Sequence, residues 1–302
     1  MASLGGFVIT YNRSEILLET IQAIFDQSVP PQKLWIIDNS EDDLTEKSVY
    51  ALHDSRLSYY HMGFNSGPAG AAAKGLELCG KEGFDWIYWG DDNDPPPLKD
   101  TFERQFNALI NLNHELIGQI GIVGQRFNSK LGKIDRIPAV ELQNSDWIEV
   151  DTISGGQSKI VSRKVVVLGV RPNPSLFYGF EELDFDLKLK ANGFKSIVGS
   201  CLFLEMRIKY NRMDFKRPLY SQKSEQGLMR QYYSTRNLIY ILKENRFVMA
   251  LIFQIIKNIF KSMIGFRFGW HYGSQNSKNI INGMLDGLFG DLSNKDYIIS
   301  GR

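Results

Sequence analysis

The stretch WIYWGDDNDPPP, residues 86–97, sets Asp91, Asp92 and Asp94 within four positions, directly after an apolar run. Like charges this close repel, so a fold that gathers them needs a positive partner. Carboxylate and amide oxygens suit a hard divalent cation, Mn2+ or Mg2+, which takes one or two carboxylates and completes its shell with waters and substrate phosphates. Such an ion neutralises charge building up on a departing diphosphate. The plain alternative, a solvated turn ahead of the prolines, leaves the hydrophobic run that feeds it without a reason.

Three more polar clusters follow apolar runs: TYNR (Thr10–Arg13), DNS (Asp38–Ser40) and GFNSGPAG (Gly63–Gly70). Each alone reads as a turn or helix cap. In an open α/β sheet, however, ligands sit beyond the carboxyl ends of the strands, and four such clusters at successive strand ends favour a site. A carboxylate at Asp38 can accept the imide N–H of uracil or thymine. Arg13 and the glycine-rich NSGPAG segment can come close to a base, ribose or phosphate, because glycine carries no Cβ. The glycines match neither a P-loop nor a GxGxxG fingerprint.

The elements that must position these residues alternate in period. GGFVIT, LWIIDN, LSYYHM, DWIYWG and IGIVG read as strands, separated by helical stretches from Ser14 (a candidate N-cap), DLTEKSVYALH, GPAGAAAKGLELC and LKDTFERQFNALINL. Short connections imply parallel βαβ units and an α/β sandwich. Beyond Trp147 the pattern is mixed: WIEVDTISGGQSKIVSRKVVVLG suggests a strand and a glycine turn, EELDFDLKLKANG an amphipathic helix, and KSIVGSCLFLEM an extended segment. From Ser224 the chain reads as helix. The expected division is a catalytic domain over 1–225, with its nucleotide side in 1–125 and its acceptor side in 126–225, and a helical extension over 226–302.

The 302 residues suffice for a large core, and a net charge of +1 offers no field for nucleic acid. Cys79 and Cys201, far apart in apolar settings, read as reduced, buried thiols of a cytosolic protein. The N-terminus lacks the basic and apolar regions of a signal peptide, and the longest apolar run, FVMALIFQII, falls short of the ~20 residues of a membrane span. Trp86 and Trp89 read as core, and His53, His61, His114 and His271 show no ligand spacing.

In VITYNR, IIDNS, NSGPAGAAAKGL, WIYWGDDNDPPP and FYGFEELDFDLKLKANGFK, in this order over roughly residues 5–245, the chain resembles the family-2 inverting glycosyltransferases of the GT-A fold. Within them it is most similar to the bacterial rhamnosyl- and galactofuranosyltransferase branch, where a YYxxRN helix recurs, here YYSTRN. The resemblance implies a Rossmann-like mixed sheet flanked by helices. It implies that Thr10, Tyr11 and Arg13 line the nucleotide pocket, that Asp38 reads the pyrimidine, and that Asn65, Gly67 and Gly70 lie against the nucleoside. Asp91 and Asp92 would touch the nucleotide, with the metal among Asp92, Asn93 and Asp94. In the EDxDL-type motif, here EELDF, the second acid, Glu182, would be the base. An inverting transfer needs one such carboxylate to take the proton of the attacking hydroxyl, and a second agent to stabilise the departing diphosphate.

Gly155 and Gly156 in ISGGQSK, together with Glu181, Asp184 and Arg236, would contact acceptor or diphosphate; for Asp184 a structural role, and for Arg236 a surface salt bridge, stand as equal readings. Two departures concern the metal. Asn93 stands where many relatives have aspartate, and the region CLFLEMRIKY lacks their metal-binding histidine, leaving Glu205 as a substitute ligand or a salt-bridging residue.

The resemblance further implies a UDP- or dTDP-sugar donor, a glycan acceptor, lipid-linked, and a place at the cytoplasmic face of the cell membrane. Lys257 and Lys261, four apart on one helical face, fit an interfacial helix on anionic lipid; packing on the catalytic domain or in a homo-oligomer is the alternative. A sugar-nucleotidyltransferase shares the α/β and metal logic but needs a glycine–arginine nucleotide loop where VITYNR stands. A non-catalytic nucleotide-sugar-binding assembly protein would have lost the base or metal acids, which remain.

Overall fold

Seven consecutive buried residues form β1 (Leu4–Thr10), as expected of a strand covered on both faces. The computed structural model describes residues 2–110, 112, 115–154, 158–213 and 222–293. After β1 come α1 (Ser14–Phe25), β2 (Leu34–Asp38), α2 (Leu44–Tyr50), β3 (Leu57–His61), α3 (Gly67–Glu82), β4 (Trp86–Asp91), α4 (Thr101–Asn107) and β5 (Ile117–Gly121). Then follow β6 (Gly124–Asn128), β7 (Lys133–Arg136), α5 (Ala139–Gln143), β8 (Trp147–Val150), β9 (Thr152–Ile153), β10 (Lys159–Ser162) and α6 (Arg163–Val167). The chain continues through α7 (Glu181–Ala191), β11 (Lys195–Gly199), α8 (Ser200–Lys209), α9 (Glu225–Glu244), α10 (Val248–Ile264) and α11 (Trp270–Phe289).

The chain divides into two compact units: 1–126, 136–174 and 182–214 in the first, and 127–135, 175–181 and 215–302 in the second. The first holds an eight-stranded mixed sheet in the order β3-β2-β1-β4-β10-β5-β11-β8. Strands β3, β2, β1 and β4 are parallel, whereas β10 runs antiparallel between β4 and β5. Alternation along each strand feeds a core on each face. Leu4, Val8, Trp86 and Tyr88 pack with Phe102 on one, and Phe7, Ile9, Ile87 and Trp89 with Leu76 and Phe185 on the other. Both tryptophans are thus core residues. Gly75 lets α3 close on β1, since a Cβ there would lie 2.3 Å from the Phe7 ring.

Register aligns the polar strand ends. Thr10 is opposite Asp38, Asp38 opposite His61, and Asp91 opposite Ile9. One carboxyl edge therefore presents the ends of four strands.

Four local expectations are corrected. Arg13, not Ser14, stands at the N-cap of α1, and no side chain caps it. The strand expected at IGIVG lies earlier, at Ile117–Gly121, where it can pair with both β10 and β11. The extended reading of KSIVGSCLFLEM ends at Gly199: Leu202, Phe203 and Met206 recur at helical spacing and are buried, so 200–209 is helix. On that helix Cys201 is exposed, not buried; Cys79 is buried as expected, and burial pushes its thiol pKa up.

The second unit is built on α9, α10 and α11. Ser224 caps α9 by accepting from the Gly227 N–H at 3.2 Å. Gly283 allows α11 to meet α9 closely, because a Cβ there would sit 2.5 Å from the Tyr232 carbonyl oxygen. Two short segments from earlier in the chain belong to this unit. The Asn237 amide donates to the carbonyls of Leu176, Tyr178 and Gly179 at 2.8, 2.9 and 2.7 Å. Gln254 donates to those of Leu131 and Gly132 at 2.7 and 2.8 Å.

Helix α10 has its polarity inverted. Gln254, Asn258 and Ser262 are buried, whereas Met249, Ile252, Ile256, Phe260 and Met263 are exposed. Lys261 turns inward to Gln231 of α9 at 2.8 Å, and burial beside Lys223 and Lys257 lowers its pKa to about 8. The stretch Val248–Phe268 is long and apolar enough to cross a membrane by length and composition.

Candidate active site

Asp92, only 2% exposed, is the fixed point of the acid stretch. Its Oδ2 accepts from the Thr10 hydroxyl at 2.9 Å and the Tyr11 N–H at 3.4 Å, and its Oδ1 from Arg13 Nη1 at 3.1 Å. The main chain is held as well, with Asp92 N–H on the Ile9 carbonyl at 3.0 Å and the Thr20 hydroxyl on the Asp92 carbonyl at 2.5 Å. Asp92 therefore locks the end of β4 to the end of β1 and to α1.

Its neighbours are held differently. Burial first, then the charge of Asp92, raises the pKa of Asp91 to about 6; burial does the same for Asp94, with Arg212 pulling the other way. Asn93 is exposed. Among the described residues no three His, Cys, Asp or Glu side chains converge to hold an ion by themselves.

Asp38 is fully buried. Its Oδ1 accepts from the Ser40 N–H at 2.8 Å and its Oδ2 from the Tyr59 hydroxyl at 2.8 Å. Burial, with help from this bond, raises the phenol's pKa. Alongside, Asn39 accepts from the Ser66 N–H at 3.0 Å and hydroxyl at 2.7 Å, and Asn65 accepts from the Gly67 N–H at 3.0 Å. Gly67 takes φ +67°, a conformation that favours glycine, and Gly70 is buried in the first turns of α3. Tyr11, by contrast, is exposed.

Glu182 is half-buried in the first turn of α7, after the buried Glu181. Helix α7 lies against β4 through Phe185 and Trp89, whose ring centres are 5.5 Å apart, two residues ahead of Asp91. Asp184 is committed to structure: one oxygen accepts from the Asn173 N–H at 2.7 Å and Lys188 Nζ at 2.6 Å.

One turn beyond Glu182, a fully buried ion pair joins Asp186 to Lys159 of β10 at 2.7 Å. Asp186 also accepts from Gln119 at 2.7 Å and the Ile153 N–H at 2.9 Å, while Lys159 Nζ donates to the Ile153 carbonyl at 3.1 Å and sits over the Trp89 and Phe185 rings. The pair was missed from sequence. A lone lysine heading the apolar strand KIVS, and an acid four residues after Glu182, were the available signals.

Other expected members lie elsewhere. Gly155 and Gly156 fall outside the described residues. Glu205 pairs with Arg104 at 2.7 Å, so it is the salt-bridging residue. Arg236 corrects both of its readings. It is fully buried in the second unit, with its guanidinium donating to the carbonyls of Ser175, Leu176 and Ser293 and to Asn237 Oδ1. It can be neither a surface salt bridge nor a diphosphate contact with those donors spent. Of the two lysines on α10, Lys261 is drawn inward to Gln231, whereas Lys257 stays exposed with its Nζ 3.4 Å from Gln254 Oε1.

The family model described as Glycosyl transferase family 2 matches residues 7–166 of this arrangement, over half of the chain. The chain belongs to that family. No curated protein matches in sequence. Three solved structures resemble this glycosyltransferase in fold. Mannosyltransferase PcManGT from Pyrobaculum calidifontis, in complex with GDP-Man and Mn2+, aligns over 96% of this chain and 88% of its own, with 11% identity and TM-score 0.54. S. aureus TarS 1–349 in complex with UDP aligns over 95% and 92%, with 15% identity and TM-score 0.51. GalNAc-T7 with UDP, GalNAc and Mn2+ aligns over 96% of this chain but 56% of its own, with 11% identity and TM-score 0.57. The mixed sheet with its flanking helices is the GT-A fold.

Proposed function

We propose that this glycosyltransferase inverts: it moves a sugar from a UDP- or dTDP-activated donor to a hydroxyl of a bacterial surface glycan carried on a lipid. The observation that supports this reading best is convergence at one edge. Thr10, Asp38 and the acid stretch end neighbouring strands, and the helix that begins with Glu181 and Glu182 packs on the strand that delivers the acids.

Each residue has work there. The Asp38–Tyr59 pair forms a polar wall that a pyrimidine edge can face, and Gly67 and Gly70 leave room for a nucleoside. Arg13 and Asp92 hold the ribose side of the pocket in shape. Glu182 accepts the proton of the acceptor hydroxyl as that oxygen bonds to the anomeric carbon. The bond from that carbon to the diphosphate oxygen breaks on the opposite side, so the configuration inverts without a covalent enzyme intermediate.

The acid stretch fits a divalent ion. Asp91 and Asp94 are oxygen donors that burial disfavours as anions, and PcManGT and GalNAc-T7 hold Mn2+ in their complexes. Asp91 and Asp94 would bind it, since Asp92 is committed to Arg13 and Thr10. Bound there, the ion would supply positive charge to the leaving diphosphate.

Proton NMR of the product tests the mechanism directly. An α-linked donor should give a β-linked product, and the reverse for a β-linked donor; retention would overturn the role given to Glu182.

The lipid-linked acceptor and a place at the inner face of the membrane rest on α10. Its outward Met249, Ile252, Ile256, Phe260 and Met263 suit a hydrocarbon surface better than water, and its polar side is already satisfied within the second unit. In liposome flotation the protein should rise with anionic vesicles, and Ile256→Glu/Phe260→Glu should stay at the bottom. Equal flotation of the two would remove the membrane contact.

A further inference from the structure

The segment 175–180, which leads straight into Glu181 and Glu182, has a backbone that its residues do not favour. Phe177, Gly179 and Phe180 take φ of +61°, +84° and +67°. Glycine adopts such angles freely, but two aromatic residues in the left-handed region persist only where surrounding contacts over-determine them. Those contacts come from one face of α9, at positions i, i+3, i+4 and i+7. The Arg230 guanidinium carbon lies 5.3 Å from the centre of the Tyr178 ring, and the Tyr233 and Phe177 ring centres are 5.2 Å apart. Ser234 lies beside Gly179, where a Cβ would come 3.6 Å from its Oγ. Asn237 donates to the carbonyls of Leu176, Tyr178 and Gly179 at 2.8, 2.9 and 2.7 Å.

Arg236, next along α9, donates to the carbonyls of Ser175 and Leu176 at 3.2 and 3.0 Å. Its Nε also donates to Asn237 Oδ1 at 3.0 Å, which turns the amide nitrogen of Asn237 toward the segment. Two adjacent buried side chains thus hold the carbonyls of Ser175, Leu176, Tyr178 and Gly179. Apolar side chains would suffice merely to cover a loop. Side-chain donors aimed at successive carbonyls specify the path of its main chain instead. The chain then enters α7, whose first two residues are Glu181 and Glu182. A residue in the first turn takes its direction from the entry of its helix, so a displaced segment 175–180 displaces Glu182.

We infer that Asn237 and Arg236 are positioning residues for sugar transfer: by fixing the strained segment 175–180 they aim the carboxylate of Glu182. The second unit then contributes to catalysis through the main chain, without touching either substrate. This inference rests on the reading of Glu182 as the base. Its weight follows from geometry, since a misplacement of about 1 Å can cost about 100-fold in rate.

The test is kinetics on the full chain, read as release of UDP or dTDP from the nucleotide sugar in the presence of acceptor, with calorimetric binding of UDP in Mn2+. Asn237→Asp keeps the bond from Arg236 but has no N–H for the three carbonyls. Gly179→Ala strains the segment from its own side and leaves α9 unchanged. Gln254→Ala is the control, because it removes two bonds of the same kind, to Leu131 and Gly132, elsewhere in the second unit. In Asn237→Asp and Gly179→Ala, kcat should fall about tenfold or more while UDP affinity stays within about twofold. Gln254→Ala should keep kcat within about twofold, even where it melts as early as Asn237→Asp.

In a Glu182→Gln background, Asn237→Asp should lower kcat no further, because the group it aims is already gone. A merely structural loss would recur there in full. If Asn237→Asp fails to fold, Gly179→Ala alone decides. Wild-type kcat in Gly179→Ala and in a folded Asn237→Asp, or a loss repeated in full in the Glu182→Gln background, would overturn the positioning role. Near-normal turnover of Glu182→Gln itself would overturn the base assignment instead.

Discussion

Glu182→Gln is expected to lower the rate of sugar transfer by at least about 100-fold, the usual weight of a positioned general base. The amide keeps the size of the side chain and its place in the first turn of α7, but it cannot take the acceptor's proton. Donor affinity should stay within about twofold of the wild type, because the proposed nucleotide pocket draws on the ends of β1 to β4 and the start of α3 rather than on α7. Asp184→Asn is the control. Its carboxylate is spent on Asn173 and Lys188, so this variant should lose thermal stability more than turnover. Steady-state kinetics with calorimetric donor binding separates the two; near-normal turnover in Glu182→Gln would take the base role away from it.

Lys159→Met should be the most damaging single change to the fold among those considered. It leaves Asp186 buried with two hydrogen bonds and no cation, a loss of about 3–5 kcal/mol for a broken buried pair. For a chain of this size that corresponds to a fall in Tm on the order of 10 °C. Turnover of the folded fraction should fall too, since the pair joins β10 to the helix carrying Glu182 and fixes Ile153. Lys159→Met/Asp186→Leu, which removes both charges, should regain most of the stability, because hydrophobic replacement of a buried pair is often neutral. Thermal melts of the three proteins decide this. A Lys159→Met protein that melts with the wild type would mean that the pair holds nothing.

Much of the first unit was legible because its signals are local. Short continuous apolar runs, short connections and polar clusters at strand ends mark β1 to β4 and place Thr10, Asp38 and Asp91–Asp94 on one edge. What escaped depended on contacts distant in sequence. Lys159 and Asp186 lie 27 positions apart, and nothing near either announces the other. Arg236 sits on a polar-looking helix turn, yet its partners are carbonyls about 60 residues away in each direction. Helix α8 was misread because Leu202, Phe203, Leu204 and Met206 give a run dense enough to pass for a strand when its helical spacing is overlooked. On α10 the polar residues suggested an outward basic face. Only the packing on α9 reveals that Gln254, Asn258, Lys261 and Ser262 point inward, with Lys257 exposed among the apolar residues outside.

The central claim is that the carboxyl edge binds a pyrimidine nucleotide diphosphate together with a divalent ion. A thermal-shift titration of UDP- and dTDP-sugars, with and without Mn2+, tests it most directly. A ligand about 100-fold above its Kd stabilises the folded state by about 2.7 kcal/mol. The sign of the pH effect follows from Asp91 and Asp94. Their folded-state pKa values, raised to about 6 above the ordinary carboxylate value, make the ion-free protein lose stability as pH rises from about 4 through about 6. A cation relieves that loss where both are ionised and must displace protons where they are not. The expected result is therefore a rise in Tm with a UDP- or dTDP-sugar, enlarged by Mn2+ at about pH 7.5 and little changed by it at about pH 5. No rise with any pyrimidine nucleotide sugar, with or without Mn2+, would contradict the claim.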